Sequence, residues 1–150
     1  MDFKIAIAQI DVVMGDVSKN LSKYKDYIKR ARGKEVSLLV FPELSLTGYF
    51  LKDMVPNCAL RIDSPAIEAL KKESKNISLV IGFIEESEDF KYYNSSPYHE
   101  NGEVIHVHRK VYLPTYGMFE EARYFASGDS VRSFTTRFCK MAMLICEDVW

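Results

Sequence analysis

The chain has 150 residues, 47% of them hydrophobic, which is enough apolar material for one buried core. Its 20 basic and 21 acidic residues leave a formal charge of −1 and are interspersed, so nothing marks a nucleic-acid or anionic-membrane surface. No apolar run reaches the length of a membrane span, and the opening MDFKIAIAQI is too short and interrupted for an export signal.

Residues 3–10, FKIAIAQI, read as a first buried strand. From Asn20 to Ala31, the residues Leu21, Tyr24, Ile28 and Ala31 recur at helical spacing with Lys and Arg between them, and Gly33 supplies a stop. VSLLVF (36–41) is a near-continuous apolar run ending at Pro42, the pattern of a strand buried on both faces. Ser64-Pro65 pairs an N-cap residue with a proline at the first helical position and predicts a helix to about Lys75. ISLVIGFIE (77–85) is again strand-like, and residues 88–109 read as a hairpin around Asn101-Gly102. A polar, aromatic loop follows from Leu113 to Asp129, then short strands near 131–134 and 140–145. Strands and helices alternate and then strands follow, which predicts one α/β layered domain over residues 1–150.

Three polar residues fall at strand ends. Glu43 lies two residues beyond VSLLVF, Lys110 directly follows VIHVHR, and Cys146 directly follows MAMLI. In open α/β sheets ligand sites gather where strands end, so a carboxylate, an ammonium and a thiol there can converge. Their chemistry is complementary. A thiol attacks carbonyl or nitrile carbon best as a thiolate, which a nearby base or cation favours. A carboxylate can take the thiol proton and return it to departing ammonia, and a lysine can hold the oxyanion. Singly, each has a bland reading as a packed thiol or a solvated loop charge.

The surrounding motifs decide between these readings. FPELSLTGY (41–49), HRKVYLPTYGMFEEARYF (108–125) and LICEDVW (144–150) stand in this order, with AIAQID, YYNSSPYHENGEVI and ASGD between and around them. Together they resemble the nitrilase, or carbon-nitrogen hydrolase, superfamily. The resemblance implies the N-terminal portion of an αββα sandwich, with the family domain continuing past Trp150, since the chain reaches only about halfway through it. It implies a triad of Glu43, Lys110 and Cys146, hydrolysing an amide through a covalent thioester. It implies a supporting carboxylate on the loop after the lysine, at Glu121 in preference to Glu120, and an oxyanion contact from the backbone N–H of Glu147. Tyr49 and Tyr116 lie inside the motifs, where they either line the pocket or pack.

The remaining residues of interest have plainer readings. His106 and His108 share a strand face, yet no third ligand is spaced to join them, and the superfamily needs neither metal nor cofactor. Cys58, Cys139 and Cys146, odd in number and far apart, suit a reducing, cytoplasmic setting, with Cys58 and Cys139 packing as small apolar residues. Gly48 and Gly117 read as turn formers. Within the superfamily, ELSLTGY, LPTYGMFEE and CEDVW resemble amidases and the glutamine-hydrolysing domain of glutamine-dependent NAD synthetase. An amidase, a glutaminase domain and a catalytically inert interaction module are therefore the alternatives. The expected partners are a small-molecule amide and further copies of the chain, in a homo-oligomer.

Overall fold

The structure, a computed structural model, describes residues 3–150; Met1 and Asp2, which open the segment weighed as an export signal, lie outside them. In chain order the elements are β1 (Ile5–Ile7), α1 (Val17–Arg32), β2 (Leu38–Val40), α2 (Val55–Cys58), α3 (Pro65–Glu73), β3 (Ser78–Val80), β4 (Phe83–Glu86), β5 (Tyr92–Glu100), β6 (Glu103–Arg109), α4 (Glu121–Tyr124), β7 (Ser133–Thr135) and β8 (Lys140–Ala142). A 3-10 turn at Cys146–Val149 ends the chain, and a second one precedes α2.

One six-stranded sheet organises the molecule. β1, β2 and β3 run parallel, and β5 joins antiparallel to β3, β4 and β6. Leu39 and Leu79 face α1 and α3, closing a core with Tyr24, Ile28, Ile67 and Leu70. Leu38, Val40, Val80 and Tyr98 point to the other side, where they share a groove with the segment Met141–Leu144. The β7–β8 ribbon lies on that side, with Phe134 against Tyr98 and His106. The layers are therefore helices, large sheet and ribbon, an α/β arrangement of the expected order.

Local chemistry explains most elements. Asp16 caps α1 by accepting from Lys19 N, so the helix starts three residues before the periodic stretch. The hairpin turn at Asn101-Gly102 has φ of 54° and 81°, as a two-residue turn between twisted strands requires. α3 begins at Pro65 as expected, but the Ser64 hydroxyl caps nothing and is buried without a partner among the described residues.

Three strand expectations change. The first strand is only Ile5–Ile7 at the sheet edge; Ile5 and Ile7 are 54% and 80% exposed, because the ribbon does not extend over them. ISLVIGFIE is interrupted at Ile81-Gly82, although its pairing register with β5 is the same on both sides of the break. The stretch before Cys146 pairs only through Ala142, and Leu144 is 47% exposed, so the thiol does not end a buried strand. The 113–129 loop contains one helical turn, α4, and Cys139 is exposed rather than packed, whereas Cys58 is buried.

Candidate active site

The carboxylate of Glu43 sits in the loop that leaves β2. Gly82 makes that position possible. A Cβ on Gly82 would lie 2.4 Å from Pro42 O and 2.6 Å from Leu44 N, while Gly82 O accepts from Leu46 N at 2.9 Å. The break between β3 and β4 is thus where the Glu43 loop presses onto the sheet, and only a glycine lets it approach so closely.

Lys110 is placed in the same way. It continues the β5–β6 ladder, donating its N–H to Asn94 O at 2.9 Å, and its carbonyl accepts from Gly128 N at 2.8 Å. A Cβ on Gly128 would lie 2.1 Å from Arg109 O, so the ASGD loop packs directly on the backbone before the lysine. The Lys110 ammonium is fully buried and donates to Glu43 Oε1 and to Glu121 Oε1, both at 2.8 Å. Asn94 Nδ2 donates to the same Glu43 oxygen at 2.7 Å. Glu121 opens α4 and is buried, and its Oε1 also accepts from the Tyr49 hydroxyl. Glu120 beside it is exposed.

Electrostatics follow from that packing. Burial works against the Lys110 ammonium, but hydrogen bonds and charge from Glu121 and Glu43 outweigh it and hold its pKa above the ordinary value. Burial pushes the Glu121 carboxyl up, against the pull of Lys110 and Tyr49. Burial and the Glu121 carboxylate likewise raise the Tyr49 phenol, so it stays a donor. The side chain of Glu43 is 22% exposed against 4% for Glu121, so of the two carboxylates Glu43 is the one open to a visitor.

Cys146 begins the terminal 3-10 turn with φ of +46°, a left-handed backbone that a non-glycine residue adopts only under constraint. It is exposed and shares with Glu43, Asn94 and Gly82 a cavity of about 140 Å³. Burial and the neighbouring Glu43 carboxylate raise its pKa, and Lys110 pulls it down by less. The resting group is thus a thiol, contrary to a lysine-stabilised thiolate, and its proton needs an acceptor. Glu147 follows at the start of the turn, where helical N–H groups lack intrahelical partners. Its carboxylate accepts from the Tyr116 hydroxyl, and Tyr116 is 59% exposed.

Sequence reasoning overlooked several contributors. Asn94 is buried and grips Glu43 from 51 residues away. Asp148 accepts from His108 Nε2 at 2.7 Å, so His108 is tied to a carboxylate. Among the described residues no group of three His, Cys, Asp or Glu could hold a metal. Gly82 carried a legible signal, a lone glycine within a strand pattern, which marks a break or a close backbone approach.

A carboxylate, a buried ammonium and a thiol thus meet at one end of the sheet. The chain belongs to the carbon-nitrogen hydrolase family, whose profile matches residues 4–150. It is 37% identical over 150 residues to a glutamine-dependent NAD(+) synthetase of Acinetobacter baylyi, a match covering 99% of this chain and 27% of that protein. A solved glutamine-dependent NAD+ synthetase of Acinetobacter baumannii superposes with a TM-score of 0.85 at 33% identity, over 99% of this chain and 28% of that one. An amidase from Nesterenkonia sp. superposes with a TM-score of 0.83 at 25% identity, over 98% of this chain and 56% of that one. The chain thus spans about a quarter of the synthetases and about half of the amidase. No helix of the described residues is long and apolar enough to cross a membrane.

Proposed function

We propose that the chain carries the triad of a glutamine-hydrolysing unit, which splits the side-chain carboxamide through a thioester on Cys146 and releases ammonia. Glu43 takes the Sγ proton as sulfur attacks the carbonyl carbon. The resulting oxyanion is held by Lys110 Nζ, which has a third N–H beyond its two carboxylate bonds, and by the Glu147 N–H. Collapse breaks the C–N bond, and Glu43 hands its proton to the leaving ammonia. Water then attacks the thioester, Glu43 takes the water's proton, and the acid departs from a restored thiol. Glu121 fixes Lys110 through its Oε1, and its Oε2 is buried without a partner among the described residues. Tyr49 acts through Glu121, and Tyr116 stands at the rim. The reaction calls for no cofactor, and a thiol nucleophile is best kept in a reducing, cytoplasmic compartment.

The observation that carries this reading is the buried Lys110 shared by Glu43 and Glu121, beside the cavity that Glu43 and Cys146 line together. Glutamine is preferred to a simple amide because the synthetase relatives share more of the sequence than the amidase does. Ammonia release from glutamine, asparagine and a panel of simple aliphatic amides tests it. Glutamine is expected to be the fastest substrate, and Cys146→Ala to be inactive. Preference for a simple amide would make the chain an amidase instead, and release by Cys146→Ala would remove the mechanism.

A further inference from the structure

The carboxylate of Asp148 is fully buried, two residues after the proposed nucleophile, and its two oxygens are divided between the two halves of the site. Oδ1 accepts from the N–H groups of Val111 and Tyr112, each at 3.0 Å, directly after Lys110. Oδ2 accepts from the N–H of Ile145 at 3.0 Å, directly before Cys146, and from His108 Nε2 at 2.7 Å. His108 is itself buried, two residues before Lys110 on β6. One carboxylate therefore ties the backbone directly after the lysine, and the His108 side chain before it, to the backbone entering the strained Cys146. Burial alone would raise its pKa, but the bonds from His108, Tyr112, Ile145 and Val111 hold it below the ordinary range, so it is an ionised acceptor with every bond charge-assisted.

We propose that Asp148 is a positioning residue that sets the separation of Lys110 and Cys146, and that His108 locks it in place. The inference rests on the triad reading given above. Neither residue touches the substrate. Both act by holding the positive φ at Cys146 and the end of β6 in one arrangement, with the lysine aimed at the oxyanion rather than merely near it. A carboxylate is required for this task. An amide at position 148 has only one acceptor oxygen and cannot receive N–H donors on both sides.

The test compares Asp148→Asn, His108→Phe and His108→Gln with the unaltered chain; glutamine at 108 keeps a donor where Nε2 stands. Asp148→Asn and His108→Phe are expected to lower kcat about 100-fold while KM moves by less than about threefold, as for a site displaced without loss of binding. His108→Gln is expected to recover to within about tenfold of the unaltered chain, given that the donor is retained. Unchanged kcat in the first two variants overturns the proposal, as does a loss confined to KM or an equal loss in all three. Amide hydrogen exchange at Val111, Tyr112 and Ile145 reads the tie without turnover. Faster exchange at all three in Asp148→Asn supports the tie, and unchanged exchange overturns it. If the unaltered chain hydrolyses no amide, the exchange result still judges the tie, and the triad reading alone fails.

Discussion

The two faces of the six-stranded sheet are built to different ends. On the helix side Tyr24, Ile28, Ile67, Leu70 and Leu79 are completely buried, so α1 and α3 seal that face as a packed core. On the ribbon side Ile5, Ile7 and Leu144 are largely open, and cavities remain between Met141–Cys146 and the sheet. The helix side is sealed by one core. The other side is closed only in part, by a second core of Leu44, Leu51, Val55, Ile84 and Phe125, and is open near Met141–Cys146 beside the candidate site. The difference shows why the site needs its own scaffold. Cys146 lies beside a cavity rather than in either core, so its position depends on polar ties, while two glycines admit the backbone contacts that place Glu43 and Lys110.

The largest effect is expected from Lys110→Met. It leaves Glu43 and Glu121 facing each other without a cation, and breaking a buried pair in this way costs roughly 3–5 kcal/mol. Chemical denaturation would show the loss, and turnover would vanish even in the folded fraction. Ile67→Ala, on the sealed face, costs a comparable 2–5 kcal/mol or so but should leave kcat of the folded fraction unchanged. Equal losses of kcat in the two variants would erase the division between faces.

The helix side also predicts a pH response. His99 is buried, both ring nitrogens lack partners among the described residues, and its pKa is pushed down from 6.5 to about 4 by burial and then by Lys71, against Glu68. A depressed histidine contributes stability that is complete above pH 6.5. Between pH 6.5 and about 4 the unfolded chain binds a proton that the folded chain refuses, so stability falls with pH. The loss amounts to roughly 3 kcal/mol at 1.36 kcal/mol per pKa unit. Thermal melts across this range should flatten in His99→Phe, and an undiminished slope would refute the assignment.

Gly82→Ala sharpens the comparison, because it touches the site from the sheet side. The added Cβ meets the backbone of the Glu43 loop, and overpacking of this kind costs about 1–3 kcal/mol. Its kcat should fall by more than its stability explains, with Glu43 displaced from Lys110. The smallest effect is expected at Ile7→Ser on the open face: stability within about 0.5 kcal/mol of the unaltered chain in chemical denaturation.

Features governed by local chemistry were legible in the sequence. The Asn101-Gly102 turn, the periodic face of α1 and the buried LLV of β2 each follow from a short stretch of residues. The strand ends that precede Glu43 and Lys110 were legible for the same reason, whereas Cys146 lies four residues past the end of β8. What escaped is set by partners distant in the chain. His108 and Asp148 are 40 residues apart, Tyr49 and Glu121 are 72 apart, and no periodicity links either pair. MAMLI resembles a buried strand because its composition is apolar, but composition does not say which face is covered. The Ser64 hydroxyl shows the converse, a good capping residue whose side chain points elsewhere.

The central claim is that Cys146 carries the acyl group. Acid quenching during incubation with glutamine, followed by peptide mass spectrometry, tests it most directly, with exposed Cys139 as the control in the same molecule. The account predicts a γ-glutamyl mass increment on the peptide containing Cys146 and none on that containing Cys139, accumulating further in a Glu43→Gln variant acylated with an activated ester. Ammonia release with an unmodified Cys146 at every quench time, continuing in Cys146→Ala, would contradict it.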